Sequence, residues 1–208
     1  MGSYKMYTKL SKYLILEKQI LGVFDDESEF EMALYNMEIL LINIEKILIV
    51  YGVSLLFSNL KNTLIMHMSY LVLRKYAGGW HASKSYNCTI FSVITFVLIP
   101  WLIANLKFQL PVLFVVILTV FIVLTIWKYA PADTEKNPLI SIKERKNMRY
   151  MSIFISVLLL LLILFVRNKT IEMNTLLGIT LECCTIHPMF YKLTKRSYKN
   201  YENYEAIE

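Results

Sequence analysis

Arg74-Lys75-Tyr76-Ala77-Gly78-Gly79-Trp80-His81-Ala82-Ser83-Lys84-Ser85-Tyr86-Asn87-Cys88 is a short polar island between two strongly apolar runs. An island of that kind reads as the connection between two helices of a membrane bundle, because only helices and closed barrels satisfy the backbone inside lipid. The stretch holds the chain's one Gly-Gly pair, one of its three histidines and one of its three cysteines. Thiol and imidazole are the two parts a cysteine nucleophile needs, one to attack and one to take its proton.

Outward from the island the chain is apolar in blocks. Hydrophobic types make up 56% of the 208 residues and charged types 18%, against roughly a quarter charged in soluble domains. Six apolar segments follow one another, at about 38–57, 62–73, 88–104, 110–127, 151–166 and 175–193. The second is short for the roughly 20 residues a spanning helix needs, so it is either re-entrant or starts before composition shows it. No internal repeat or low-complexity linker interrupts the series. The expectation is an all-α, polytopic membrane protein forming a single domain over 1–208, with a bundle of about six transmembrane helices over 38–193 and a tail over 194–208.

Before the bundle, Met6, Leu10, Tyr13, Leu14, Ile20, Leu21 and Phe24 recur at helical spacing with Lys5, Lys9, Lys12 and Lys18 among them. Residues 1–24 therefore read as an amphipathic helix lying in the membrane surface or packed on the rest of the protein. They lack the continuous apolar core of a cleavable signal, and Met6 occupies the position where a myristoylation signal wants Ser or Thr. The acidic group Asp25, Asp26, Glu27, Glu29 and Glu31 suits the start of the next helix.

The basic residues set an orientation. With the amino terminus inside and six crossings, only Lys61, Lys107, Arg167 and Lys169 of the 22 Lys and Arg fall in outer loops. Lys46 lies within the first segment and the rest face inward, as the positive-inside rule requires. Both termini, the island and the 128–150 loop then face the cytosol. The formal charge of +6 thus reports orientation rather than nucleic-acid binding. Three cysteines near a reducing cytosol are free thiols, not a disulfide framework.

Cys88 is placed to be an anion. Asn87 reads as a helix N-cap, which puts Cys88 in a first turn whose backbone N–H groups favour negative charge, with Lys84, Lys75 and Arg74 nearby. His81 and Cys88 are seven residues apart, about 10 Å of rise along a straight helix, too far for a hydrogen bond. His81 must therefore sit off the helix and fold back. Gly78 and Gly79 permit such a turn by reaching backbone angles closed to other residues. The expectation is a helix end at about Ala77, a Gly-Gly turn, and His81 returning to the start of the next helix. The alternative is an interfacial histidine and a small buried cysteine.

Arg74, Gly78-Gly79, His81-Ala82 and Cys88 stand in the order R-x-x-x-G-G-x-H-A-x(5)-C, which resembles the signature of the accessory gene regulator protein B family of membrane peptidases. The run Lys128-Tyr129-Ala130-Pro131-Ala132-Asp133-Thr134-Glu135 resembles that family's Pro-Ala-Asp-Thr segment, and the six segments fit it over essentially the whole chain. The resemblance implies a cysteine endopeptidase that processes a quorum-sensing propeptide, with Cys88 as nucleophile, His81 as base and no cofactor. The implied substrate has an amphipathic leader, a central segment that becomes a thiolactone or lactone ring, and an acidic tail. Beyond the bilayer and this propeptide, a second copy of the chain is a compatible partner. Arg74 is then a support or carboxylate-binding residue, Asp133 a candidate orienter of His81, and the loop that begins at Lys128 a dock for the acidic tail.

Two other readings compete. Glu45 and His67 inside apolar segments would suit a small transporter or peptide exporter, and a non-enzymatic sensor or scaffold is the third. Cys183, Cys184 and His187 fall within about one helical turn, but lack a fourth ligand and read as packing rather than a metal site.

Overall fold

Among the described residues from Glu27 onward, apolar residues at helical spacing, punctuated by asparagine, serine and proline, give eight α-helices joined by short connections. The computed structural model of the chain describes residues 7–15, 27–82, 85–107, 109–135, 138–166 and 168–204. The helices are α1 (Glu27–Leu56), α2 (Leu60–Ala77), α3 (Ser85–Val93), α4 (Ile99–Asn105), α5 (Val112–Tyr129), α6 (Ile142–Phe165), α7 (Lys169–Ile186) and α8 (Pro188–Leu193). A π-helical turn, Ile94–Leu98, joins α3 to α4, and a 3₁₀ turn, Asn200–Asn203, follows α8. The fold is all-α, as its composition predicts.

Two compact units divide the chain, Met1–Val53 and Ser54–Glu208. In the first, residues 7–15 are helical and bury Tyr7, Ser11 and Ile15 along one stripe, while Leu10, Tyr13 and Leu14 are exposed. The rest of the expected 1–24 helix, residues 1–6 and 16–24, lies outside the described residues. α1 begins at Glu27, eleven residues before composition suggests, and exposes Leu40, Ile44, Ile47 and Leu48.

In the second unit α2 packs closely on α7, with α6 against both and α5 against α6 and α7. The α2 stripe Thr63, Met66, Ser69, Leu73 and Ala77 is buried at spacings of three and four residues, and two of its members carry hydroxyls. Gly178 of α7 lies against the α2 backbone, where a Cβ would come within 2.5 Å of the Met66 carbonyl oxygen. Small residues at a crossing let two backbones approach, which drives helix association where lipid removes the hydrophobic drive. At one end of the pair Asn174 donates to Asn62 (3.0 Å), Asn62 to Asn59 (2.7 Å) and Asn59 to the carbonyl of Val97 in the π turn (3.1 Å). At the other end Arg74 faces Glu182. Buried polar groups must be paired in this way to avoid their desolvation cost.

Four helical stretches are long and apolar enough to cross a membrane: Glu29–Leu56, Tyr86–Asn105, Val112–Tyr129 and Ile142–Phe165. The six crossings expected from composition are thereby reduced to four that qualify on length and hydropathy among the described residues. α2 and α7 fall short because each carries three charged residues, of which Arg74 and Glu182 pair across the two helices. Helices sheltered by neighbours need less apolar surface than helices facing lipid, which α5 and α6 present through Val112, Phe114, Leu124, Phe154 and Leu158.

Local signals explain the ends. Ser141 and Glu144 stand as a capping box, the Ser141 hydroxyl accepting from the Glu144 amide at 3.3 Å. α6 therefore starts nine residues before its apolar run, over a charged first stretch. Asn168 caps α7 through the amides of Thr170 and Ile171. The expected sixth segment is broken at His187, whose Nδ1 accepts from the Met189 amide while Pro188 opens α8.

Candidate active site

The C-terminal end of α2 positions everything else. The helix stops at Ala77, and Gly78 and Gly79 follow with φ of +69° and +115°, angles that side chains disfavour. Space forbids a side chain as well. A Cβ on Gly78 would stand 2.1 Å from the Ala132 carbonyl oxygen, and one on Gly79 would stand 2.5 Å from an Arg74 guanidinium nitrogen. The sequence-based helix end and Gly-Gly turn are both found.

Three consecutive amides of this turn are fastened to three different elements. The Gly78 amide donates to the Arg74 carbonyl (3.0 Å), Gly79 to Ala132 (2.8 Å) and Trp80 to Thr185 of α7 (3.0 Å). The Ala132 amide returns a bond to Ala77 (2.8 Å), so the turn and the 130–133 segment form a short parallel bridge. From beneath, the Arg74 side chain donates to the carbonyls of Gly79 (3.1 Å) and Trp80 (2.5 Å). Its other nitrogen reaches the Thr185 hydroxyl (3.0 Å) and the Glu182 carboxylate (3.4 Å). Glu182 is wholly buried and also accepts from the Thr185 hydroxyl (2.9 Å).

Aromatic packing carries the turn over to the next helix. The Trp80 ring meets Phe91 edge-on at 5.7 Å and Phe190 of α8 at 5.2 Å. Phe91 lies three residues after Cys88, just under one helical turn. Phe96, from the π turn, rests on His67 (4.4 Å) and Tyr70 (5.1 Å) of α2. The Arg74 guanidinium in turn stands over the Tyr70 ring, 5.6 Å from its centroid. His81 is exposed and directly follows Trp80; Cys88 is half-buried in the first turn of α3. That helix starts at Ser85, so Asn87 is inside it and is not the N-cap that its residue type suggests. Ser83 and Lys84 lie outside the described residues.

The other cysteines sit differently. Cys183 is buried and points its thiol at the Ile122 carbonyl, whereas its neighbour Cys184 is exposed. His187 caps α8 and packs on Tyr129. Among the described residues no three ligating side chains gather where they could hold a metal ion.

Asp133 has a role at the tail. Its Oδ1 accepts from the Asn200 amide (2.9 Å) and its Oδ2 from the Tyr201 amide (2.8 Å). Its carbonyl accepts from the buried Tyr191 hydroxyl (2.9 Å), and Glu135 accepts from Ser197 and Arg196. The 133–135 segment thus clamps residues 196–201. Beside the clamp Lys128, Arg145, Lys146, Arg149 and Lys199 line a cavity of about 280 Å³ with Tyr198 and Tyr201. Burial pushes the Tyr198 phenol up to about 12, so it stays a neutral donor. The charged side chains that line this cavity are cationic apart from Asp133, whose carboxylate the tail amides occupy.

Sequence reasoning missed Glu182, Thr185 and Tyr70. An ionisable residue within an apolar segment is itself a signal of function, and Glu182 stands in such a segment, beside the cysteines.

The family model for accessory gene regulator B matches residues 3–186. An AgrB-like protein of Listeria welshimeri is 42% identical over 185 residues, covering 87% of this chain and 88% of that protein. Accessory gene regulator protein B of Staphylococcus haemolyticus is 35% identical over 80% of this chain and 86% of its own length. An AgrB-like protein of Clostridium acetobutylicum is 35% identical over 95% and 89%. No solved structure matches the chain. Matches of this extent, over a chain whose motif glycines and arginine build one fastened turn, mean that the protein belongs to the accessory gene regulator B family.

Proposed function

We propose that the chain is a membrane cysteine endopeptidase that removes the acidic tail of a signalling propeptide and promotes closure of the remaining peptide into a ring. Cys88 is the nucleophile and His81 its base. The Cys88 thiolate attacks the carbonyl that joins ring segment to tail, and the proton taken by His81 passes to the departing tail amine. The ring segment is left as a thioester on Cys88. A thiol or hydroxyl within the peptide attacks that thioester, gives its proton through His81 to the leaving Cys88 sulfur, and closes the ring. Exchange of one thioester for another is near balance, so the protein's task is to position the internal nucleophile and keep water out.

The observation that carries this reading is the fastening of the 78–80 turn on three sides, with Trp80 packed against Phe91. It ties the residue before His81 to the helix turn that follows Cys88. The basic cavity lined by Lys128, Lys146 and Lys199 suits the acidic tail, and the exposed apolar faces of α5 and α6 suit a bilayer. α2 and α7 complete a six-crossing bundle in the bacterial plasma membrane, packed on each other and on α6, with both termini and the turn at the cytosolic side.

The test is tail release from a panel of synthetic propeptides that carry an amphipathic leader, a central Cys or Ser and an acidic end. With the protein reconstituted in vesicles, Cys88→Ala and His81→Ala each lower the rate by about 10³-fold or more. Cleavage that persists in either properly inserted variant overturns the assignment.

A further inference from the structure

Resting on that reading, we infer that Glu182 is a positioning residue for the reaction at Cys88: through Arg74 it holds the turn that presents His81. Glu182 itself is remote from the turn's backbone and touches it through others. One carboxylate oxygen, Oε2, is 3.4 Å from the Arg74 guanidinium and 2.9 Å from the Thr185 hydroxyl. Arg74 donates its remaining nitrogen to the Gly79 and Trp80 carbonyls, and Trp80 is the residue before His81. Thr185 grips the same turn from α7, its carbonyl accepting from the Trp80 amide at 3.0 Å. Glu182, Arg74 and Thr185 therefore form one hydrogen-bonded unit around the base of the turn.

Charge and burial explain why a carboxylate stands here. The Arg74 side chain is only 12% exposed, and a guanidinium taken out of water needs a counter-ion to stay in one geometry. Glu182 is that counter-ion, at 0% exposure. Its second oxygen, Oε1, is buried with no hydrogen-bond partner among the described residues. A stability-driven core does not favour a half-satisfied buried carboxylate, which is often neutral or worse compared with apolar packing. The unit makes sense if its product is geometry at the turn. Tyr70 lies under the same guanidinium, its ring centroid 5.6 Å from the Arg74 carbon, and meets Phe96 of the π turn that follows α3, so the unit also reaches the helix that carries Cys88.

The experiment compares Glu182→Gln with Glu182→Asp, Cys88→Ala and a core control, Ile163→Ala, in vesicles with the propeptide panel. Ile163 is buried in α6 as a member of the apolar core cluster, near the end of the helix at Phe165. Glu182→Gln keeps the shape and an acceptor for Thr185 but loses the charge facing Arg74. It lowers kcat by about 10- to 100-fold with KM within about threefold, and Glu182→Asp recovers part of the loss. The pH profile of Cys88 alkylation by iodoacetamide moves in Glu182→Gln in the same direction as in His81→Ala, and stays in place in Ile163→Ala. Wild-type kcat and an unmoved alkylation profile in Glu182→Gln overturn the inference while Cys88→Ala remains inactive. If Cys88→Ala still cleaves, the nucleophile assignment fails instead, and the two failures are told apart.

Discussion

Replacing Gly78 by alanine is the sharpest probe of the turn. The added Cβ would stand 2.1 Å from the Ala132 carbonyl oxygen, a backbone atom that cannot swing aside. The backbone also holds φ of +69° with ψ of −137°, outside the left-handed helical well and costly for any side chain, on the order of 1–3 kcal/mol. Relief requires the turn to leave the 130–133 segment. That breaks the two 2.8 Å bonds between Gly79 and Ala132 and between Ala132 and Ala77, each worth about 0.5–1.5 kcal/mol. A displacement of about 3 kcal/mol in total corresponds to a loss of about 10²-fold in rate. The assay is tail release followed by mass spectrometry, at matched membrane abundance. Gly52→Ala is the control, because nothing lies within 4 Å of a Cβ there and Ala is the better helix former by about 1 kcal/mol. Gly78→Ala that cleaves within about threefold of wild type refutes the claim that seating on Ala132 organises the site.

Other perturbations follow from the same contacts. Gly178→Ala pushes on the Met66 carbonyl oxygen at 2.5 Å and the Tyr70 amide at 3.1 Å; overpacking of this kind costs about 1–3 kcal/mol, read as a lowered midpoint in thermal unfolding of the detergent-solubilised protein. Tyr191→Phe removes the buried hydroxyl that bonds the Asp133 carbonyl and lowers stability by about 0.5–1.5 kcal/mol, a shift of a few degrees in the same measurement. Asp133→Ala frees the Asn200 and Tyr201 amides, so trypsin cuts after Lys199 roughly tenfold faster while the helices stay protected. Lys128→Glu combined with Lys146→Glu reverses two charges of the basic cavity. At about 0.2–1 kcal/mol per exposed pair, this raises KM for acid-tailed peptides up to about tenfold with little change in kcat, and the effect shrinks in high salt.

Much of this protein is legible in its sequence. Long uncharged runs specify membrane helices, because a bilayer accepts little else. The pair Gly78-Gly79 forecasts the turn at the end of α2, since positive φ is a local property of the backbone. Local chemistry also explains the capping box at Ser141 and the break at His187, although hydropathy alone hides where α6 begins and how the last apolar segment divides.

What composition leaves open is which polar side chains meet. Arg74 and Glu182 are 108 positions apart, and only the approach of α2 to α7 at Gly178 makes them an ion pair. The same approach turns the polar stripe of α2, with Thr63 and Ser69, against α7. Asp133 illustrates the converse, a residue whose type suits support of a histidine but whose oxygens bind the amides of a tail that folding brings beside it. Burial and pairing are properties of the assembled bundle, so a residue's type announces what it can do, and the packing around it decides which of those things it does.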